Sequence, residues 1–252
     1  MSTEEFIESW EREERLPFTG WDFSHLKGRM IEDPLPWDYM VRAVELMQRS
    51  SAVLDMGTGG GEKLLELRPF WPPKVVATED YPPNFKLASE RLGSLGVQVV
   101  KIPLTRTGLM PFGDGEFDLI LNRHSGLNCS EVARMLAPGG LFLSQQVHGL
   151  WAKDLLAEFG ARPQWPDATP AYYLPRFEKA GLALNKLEEW RGNLTFTDVG
   201  AIVYYLKAVP WLVPGFSVDA HLEVLLRLQD RIEKEGKLVF EARMYLMEYQ
   251  EP

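Results

Sequence analysis

The chain has 252 residues, 45% hydrophobic and 25% charged. That is the balance of a soluble globular protein of one or two domains, and it excludes a disordered, collagenous or rod-like chain. With 27 Lys and Arg against 36 Asp and Glu, the net charge is -9, which disfavours nucleic acid as a substrate and anionic membrane surfaces as a partner.

The single cysteine, Cys129, rules out an internal disulfide and a Cys-rich zinc site. No metal site is expected, and one free thiol suits a reducing cytoplasm. Met1-Ser2-Thr3-Glu4-Glu5 lacks the apolar stretch of a secretory signal. The longest run without Asp, Glu, Lys or Arg, residues 135–152, is too broken by Pro138-Gly139-Gly140 to span a bilayer.

In chain order, residues 1–50 read as a charged, Trp-bearing N-terminal extension. It holds a helix over Glu4–Arg15, a break at Pro17-Phe18-Thr19-Gly20-Trp21, and a helical apolar stripe over Trp37–Gln48. Strands and helices then alternate. Ala52–Met56 is a strand, Glu62–Leu67 a helix, Lys74–Glu79 a strand, and Asn84–Leu92 a helix with Gly93 as its C-cap. Val97–Ile102 and Phe117–Asn122 are strands, Cys129–Leu136 a helix closed by Pro138-Gly139-Gly140, and Leu141–Gln146 a strand. This alternation predicts a parallel sheet with right-handed crossovers. Beyond it come a short helix over Leu174–Lys179 with Pro175 in its first turn, and a strand over Leu184–Trp190. Thr195 and Asp198 form a capping box opening a helix to Leu206. An amphipathic helix over His221–Lys234 is capped by Gly236, and Leu238–Met247 is the last strand. Residues 51–252 thus form one α/β domain, with an insertion at about 191–236.

The strongest signal is Val53-Leu54-Asp55-Met56-Gly57-Thr58-Gly59-Gly60-Gly61-Glu62, a buried strand running through glycines into a helix. Glycines there permit positive φ and let a ligand touch the backbone. Glu79 follows about 20 residues on, at the end of the next strand, where a carboxylate can take the ribose hydroxyls of a nucleoside. The dinucleotide fingerprint fails, because Glu62 stands where its third glycine belongs, and no Gly-Lys-Ser/Thr of a P-loop follows.

Asp55, Gly57, Gly59 and Gly61 in the order D-x-G-x-G-x-G resemble the first motif of class I S-adenosylmethionine-dependent methyltransferases. Val75–Asn84 resembles the second motif, and Leu87-Ala88-Ser89-Glu90-Arg91-Leu92 its following helix. Met110-Pro111-Phe112-Gly113-Asp114-Gly115-Glu116-Phe117-Asp118 is similar to the run before the fourth strand of the family. Glu131–Gly140 is similar to its helix and Pro-Gly-Gly turn. The match spans about residues 51–146.

The resemblance implies a doubly wound, mostly parallel seven-stranded α/β sheet whose last strand is antiparallel. It also implies S-adenosyl-L-methionine as cofactor and an N-terminal helical lid. The cofactor would be held by Asp55, Gly57, Thr58, Gly59, Gly61, Glu79, Asp80 and Asn122. The family's adenine-binding acid after the third strand is missing from Lys101-Ile102-Pro103-Leu104-Thr105-Arg106, so backbone near Leu104 and Thr105 is expected to serve instead.

Methyl transfer from a sulfonium needs alignment more than a triad, and a base only where the acceptor must lose a proton. His124 and His148, at the ends of the fourth and fifth strands, are the candidate bases. Arg123 and Gln146 are candidate substrate contacts, with Trp21 and Trp37 as walls of an apolar pocket. The Asn/Asp-Pro-Pro-aromatic motif of base-amino methylation is absent after the fourth strand, and Cys129 lacks the context of a nucleophile. A small-molecule acceptor is therefore expected. The alternatives are an RNA or protein methyltransferase, a non-catalytic cofactor-binding regulator, and, disfavoured by the failed fingerprint, a nicotinamide oxidoreductase.

Overall fold

A computed structural model describes residues 2–103 and 105–252. Helix α1 (Thr3–Arg15) opens on a capping box in which the Ser2 hydroxyl accepts the Glu5 N–H and the Glu5 carboxylate accepts the Ser2 N–H. Strand β1 (Met30–Glu32) follows, then α2 (Tyr39–Met47), capped by the Asp38 carboxylate on the Val41 N–H. The alternating core is β2 (Ala52–Met56), α3 (Glu62–Glu66), β3 (Lys74–Glu79), α4 (Pro82–Gly93), β4 (Gln98–Lys101), β5 (Phe117–Arg123), α5 (Cys129–Met135) and β6 (Leu136–Val147). The chain ends with α6 (Lys153–Glu158), α7 (Pro170–Lys179), β7 (Ala183–Phe196), α8 (Val199–Ala208), α9 (Leu222–Glu235) and β8 (Leu238–Gln250).

Among the described residues one eight-stranded sheet has the order β1-β7-β8-β6-β5-β2-β3-β4. β2 pairs in parallel with β3 and β5, as do β3 with β4 and β5 with β6, while β8 runs antiparallel between β6 and β7. Five parallel strands therefore end on one edge at Met56, Glu79, Lys101, Arg123 and Val147, the edge at which doubly wound sheets bind ligands.

Alternate residues of each strand face opposite layers. Val53, Leu119, Leu121, Leu143 and Leu246 pack under α2, α3 and α4. Leu54, Ile120, Phe142, Tyr245, Met247 and Tyr249 pack on the other face against α5 and α7. A third core joins α1, α6, α8 and α9 over one end of β7 and β8.

Several expectations need correction. The sheet has eight strands rather than seven, because the N-terminal extension supplies β1, antiparallel on Leu194–Phe196 of β7. Three residues between polar loops carry too little periodicity to read as a strand. Gly93 ends α4 in helical conformation, and the left-handed glycine is Gly96 at φ 89°. Pro175 lies inside α7, because Pro170 opens that helix earlier. Thr195 belongs to β7, and α8 is capped by Asp198 alone, whose carboxylate accepts the Ala201 N–H. Helix α6 was not expected.

Candidate active site

Between β2 and α3 the chain turns through Gly57, Gly59 and Gly61, all left-handed, with φ of 74°, 62° and 85°. A side chain at any of them would be strained. The Gly57 and Thr58 N–H groups both donate to the Thr78 carbonyl on β3, at 3.1 and 2.9 Å, fastening the turn to the neighbouring strand. Glu79 ends β3 almost wholly buried. Its carboxylate accepts the N–H of Gly59 at 2.8 Å and those of Asp80 and Tyr81 at 2.9 Å. A carboxylate has about four lone-pair sites, so room remains for one hydroxyl without rearrangement. Burial raises the Glu79 pKa and the three N–H donors oppose that rise.

Asp55 lies one residue before the end of β2, on the α2 face. Burial lifts its pKa to about 6, with the Thr58 hydroxyl and the Arg123 charge pulling it down. Tyr39 of α2 lies close enough for Asp55 to raise its pKa. The Tyr39 hydroxyl and Thr58 Oγ1 are both buried without a hydrogen bond of full geometry among the described residues. A carboxyl group with two hydroxyls beside it is a polar set suited to an ammonium group.

At the next strand end, His124 is left-handed at φ 57°. It and Glu32 of β1 are exposed to solvent. Burial and the Arg123 charge press the His124 pKa down to about 3. Glu32 is raised by burial and lowered by Arg123. Asp55, Tyr39, His124 and Glu32 therefore all lie within reach of the Arg123 charge. Trp37 joins them, its indole donating to Gln145 Oε1 at 2.8 Å.

Other expected residues lie elsewhere. Asn122 is fully buried on the opposite face. Its Oδ1 accepts from Ser144 Oγ and Gln146 Nε2, and its Nδ2 donates to Ser125 Oγ. Gln146 also donates to the Ser125 carbonyl. Both side chains are thus spent in a network that pins the loop after β5. The expected side-chain roles of Asn122 toward cofactor and Gln146 toward substrate do not fit this placement.

His148 faces away from His124. It lines a separate cavity of about 220 Å³ with Glu189, Trp190, Arg191, Arg243 and Met244, and its Nδ1 accepts the Leu150 N–H. The structure does not bring the two candidate bases together. Trp21 lies over the glycine turn, its Cδ1 standing 2.7 Å from where a Cβ on Gly59 would be. It packs with Phe18, Phe23 and Trp211. Asp80 is exposed beside Glu79, Thr105 is exposed beside Gly108, and Leu104 lies outside the described residues. Tyr39, Glu32 and Gln145 are the site residues that sequence reasoning missed. Only Gln145, one of two adjacent amides at a reactive edge, carried a signal.

Residues 54–144 match the family described as methyltransferase domain. A candidate methyltransferase of Bacillus halodurans C-125 superposes with a TM-score of 0.59 at 20% identity, covering 84% of this chain and 97% of its own. Geranyl diphosphate methyltransferase superposes at 0.51 and 14% identity, covering 84% and 85%. A candidate sarcosine dimethylglycine methyltransferase from Galdieria sulphuraria does so at 0.50 and 18%, covering 84% and 82%. No curated protein matches the chain.

A doubly wound sheet with a three-glycine turn at its reactive edge and an acid ending the adjacent strand is the arrangement at which α/β folds bind nucleoside cofactors. Residues 54–144 carry the match to the methyltransferase domain, and the sheet has the fold of the solved methyltransferase structures on which it superposes. Among the described residues no helix is long and apolar enough to cross a membrane.

Proposed function

We propose that the chain transfers a methyl group from S-adenosylmethionine to a small-molecule acceptor, a reaction of the EC 2.1.1 type. The observation that carries this reading is the left-handed Gly57, Gly59 and Gly61 turn closed by Glu79. The acceptor class is supported by the solvent-reached polar group of Glu32, Arg123 and His124 at the strand ends, and by the acidic net charge.

When bound, the cofactor supplies an electrophilic methyl group on a sulfonium. Asp55, with the Thr58 and Tyr39 hydroxyls beside it, takes the cofactor ammonium, and Glu79 accepts a ribose hydroxyl. The turn at Gly57, Gly59 and Gly61 allows close approach, and Asp80 and Thr105 would contact the nucleoside. Residues 1–50 act as the lid, with Trp21 on the glycine turn, over a catalytic domain of residues 51–252 carrying the insertion near 191–236. The buried thiol of Cys129 suits the cytoplasm.

Calorimetry with S-adenosylmethionine, its demethylated product and NAD tests the cofactor. Incubation of a metabolite extract with methyl-labelled cofactor tests the acceptor. Label in the small-molecule fraction supports the reading. Label confined to RNA or protein, or binding of NAD alone, overturns it.

Asp55 gives the binding a pH dependence. Below about 6 its carboxyl is protonated and cannot pair with an ammonium. Cofactor affinity should therefore rise as pH increases through 6 and then level off, with a proton released on binding in the lower range. Calorimetry in buffers of different ionisation enthalpy reads that proton, and Asp55→Asn should flatten the profile. The sign for the free protein is opposite. A carboxyl whose folded pKa is raised binds its proton more tightly when folded, so its contribution to stability falls as pH rises from about 4 through 6.

A further inference from the structure

Three side chains at this edge of the sheet form a relay whose proton positions follow from chemistry alone. The Trp37 indole N–H can only donate, and it donates to Gln145 Oε1 at 2.8 Å. The Gln145 amide is therefore oriented with its NH₂ toward His124, and Gln145 Nε2 lies 3.0 Å from His124 Nε2. A donor on Gln145 requires a lone pair on His124 Nε2, so the neutral ring carries its proton on Nδ1. Gln145 is buried, and the His124 backbone N–H is tied to the Gln145 carbonyl at 2.9 Å, so the relay is held from both strands.

Nδ1 has no partner among the described residues. A ring held as an Nδ1–H donor cannot act as a base, which revises the expectation for His124. The positive φ of His124 breaks the strand alternation and brings its ring to the face of Gln145, which is also the face of Arg123 and Asp55. Among the described residues Arg123 makes no hydrogen bond or ion pair. Its charge acts on Glu32, Tyr39, Asp55 and His124 without contact. Two donors adjacent in sequence, one charged and one neutral, are thus left without a hydrogen bond where solvent reaches them, and a half-buried guanidinium favours an anionic partner.

We infer that Arg123 and the Nδ1–H of His124 form a carboxylate subsite for the methyl acceptor, which is then a small organic acid. This rests on the methyl-transfer reading above and names the acceptor class for the same site.

Long-range proton–nitrogen correlation spectra of ¹⁵N-labelled protein, with the His124 signals assigned by their loss in His124→Gln, test the relay. The expected result is a ring protonated on Nδ1 and neutral throughout pH 5 to 8. An Nε2–H ring, or one titrating in that range, overturns the inference. In protein saturated with S-adenosylhomocysteine, acetate, propionate and benzoate are then titrated against their amides. At least one acid should shift the Nδ1 signal while its amide does not, and Arg123→Met should weaken that acid at least tenfold. Gln145→Glu, which accepts from both Trp37 and His124, should move the ring proton to Nε2 and abolish the response.

No shift with any acid overturns the subsite, as does an equal shift with the amides. Displacement of the acids by S-adenosylhomocysteine itself also overturns it, assigning the pair to the cofactor's own carboxylate. Failure of S-adenosylmethionine and its product to bind by calorimetry would sink the methyl-transfer reading instead, and the ring tautomer is readable without either ligand.

Discussion

Glu79→Ala is expected to weaken S-adenosylmethionine binding by about 1–3 kcal/mol, roughly 5- to 150-fold. The carboxylate does two jobs at once. It accepts three backbone N–H groups, from Gly59, Asp80 and Tyr81, and keeps acceptor capacity for a hydroxyl. Removing it leaves the Gly59 N–H unpaired in a buried turn, so the free protein should lose about 1–3 kcal/mol as well. Glu79→Gln separates the two effects. Its oxygen still serves part of the backbone, but its NH₂ faces a backbone donor and the charge is gone. Calorimetry reads affinity and urea unfolding reads stability. If affinity were unchanged while stability fell, Glu79 would be a brace for the turn and the ribose assignment would be wrong.

Phe177→Ala should cost about 3–5 kcal/mol of unfolding free energy, the range for deleting a wholly buried aromatic ring. Phe177 is fully buried in α7, with ring centroids 4.3 Å from Tyr249 and 5.3 Å from Phe142. It couples the α7 layer to both β6 and β8. Those strands carry only side chains there, so the backbone cannot close the gap without shifting a sheet that is paired on both sides. Urea melts at constant m-value give the number. A loss below about 1 kcal/mol would mean that the layer recloses around the deletion.

How far the fold was legible depends on where the pattern is local. β2, β3 and α4 could be read because each is a continuous apolar run or stripe bounded by glycine or proline. The glycine turn could be read because left-handed backbone demands that residue. β1 could not, since three residues owe their strand conformation to β7 far along the chain.

The same division runs through the site. Asp55, Glu79 and the glycines announce themselves by spacing. The choice between Gln145 and Gln146 turns on which sheet face each side chain meets. That is set by the pairing of β6 with β5, Gln145 opposite Arg123, and one sequence does not reveal it. Gln146 was the expected substrate contact, yet it serves the network beneath. Its neighbour faces the candidate site. His124 was recognisable as a residue of interest, but its proton is placed by Trp37, 87 positions upstream, through an amide.

β1 has a consequence beyond the site. β7 is 14 residues long, and β1 covers only Leu194, Thr195 and Phe196. The stretch left without a partner carries Lys186, Glu188, Glu189 and Arg191, charges that discourage another chain from adding a strand there. The covered stretch has no such charge. The segment that brings Glu32 to the candidate site also shields the one part of that margin fit to template aggregation, so loosening it for the sake of catalysis would trade away colloidal stability.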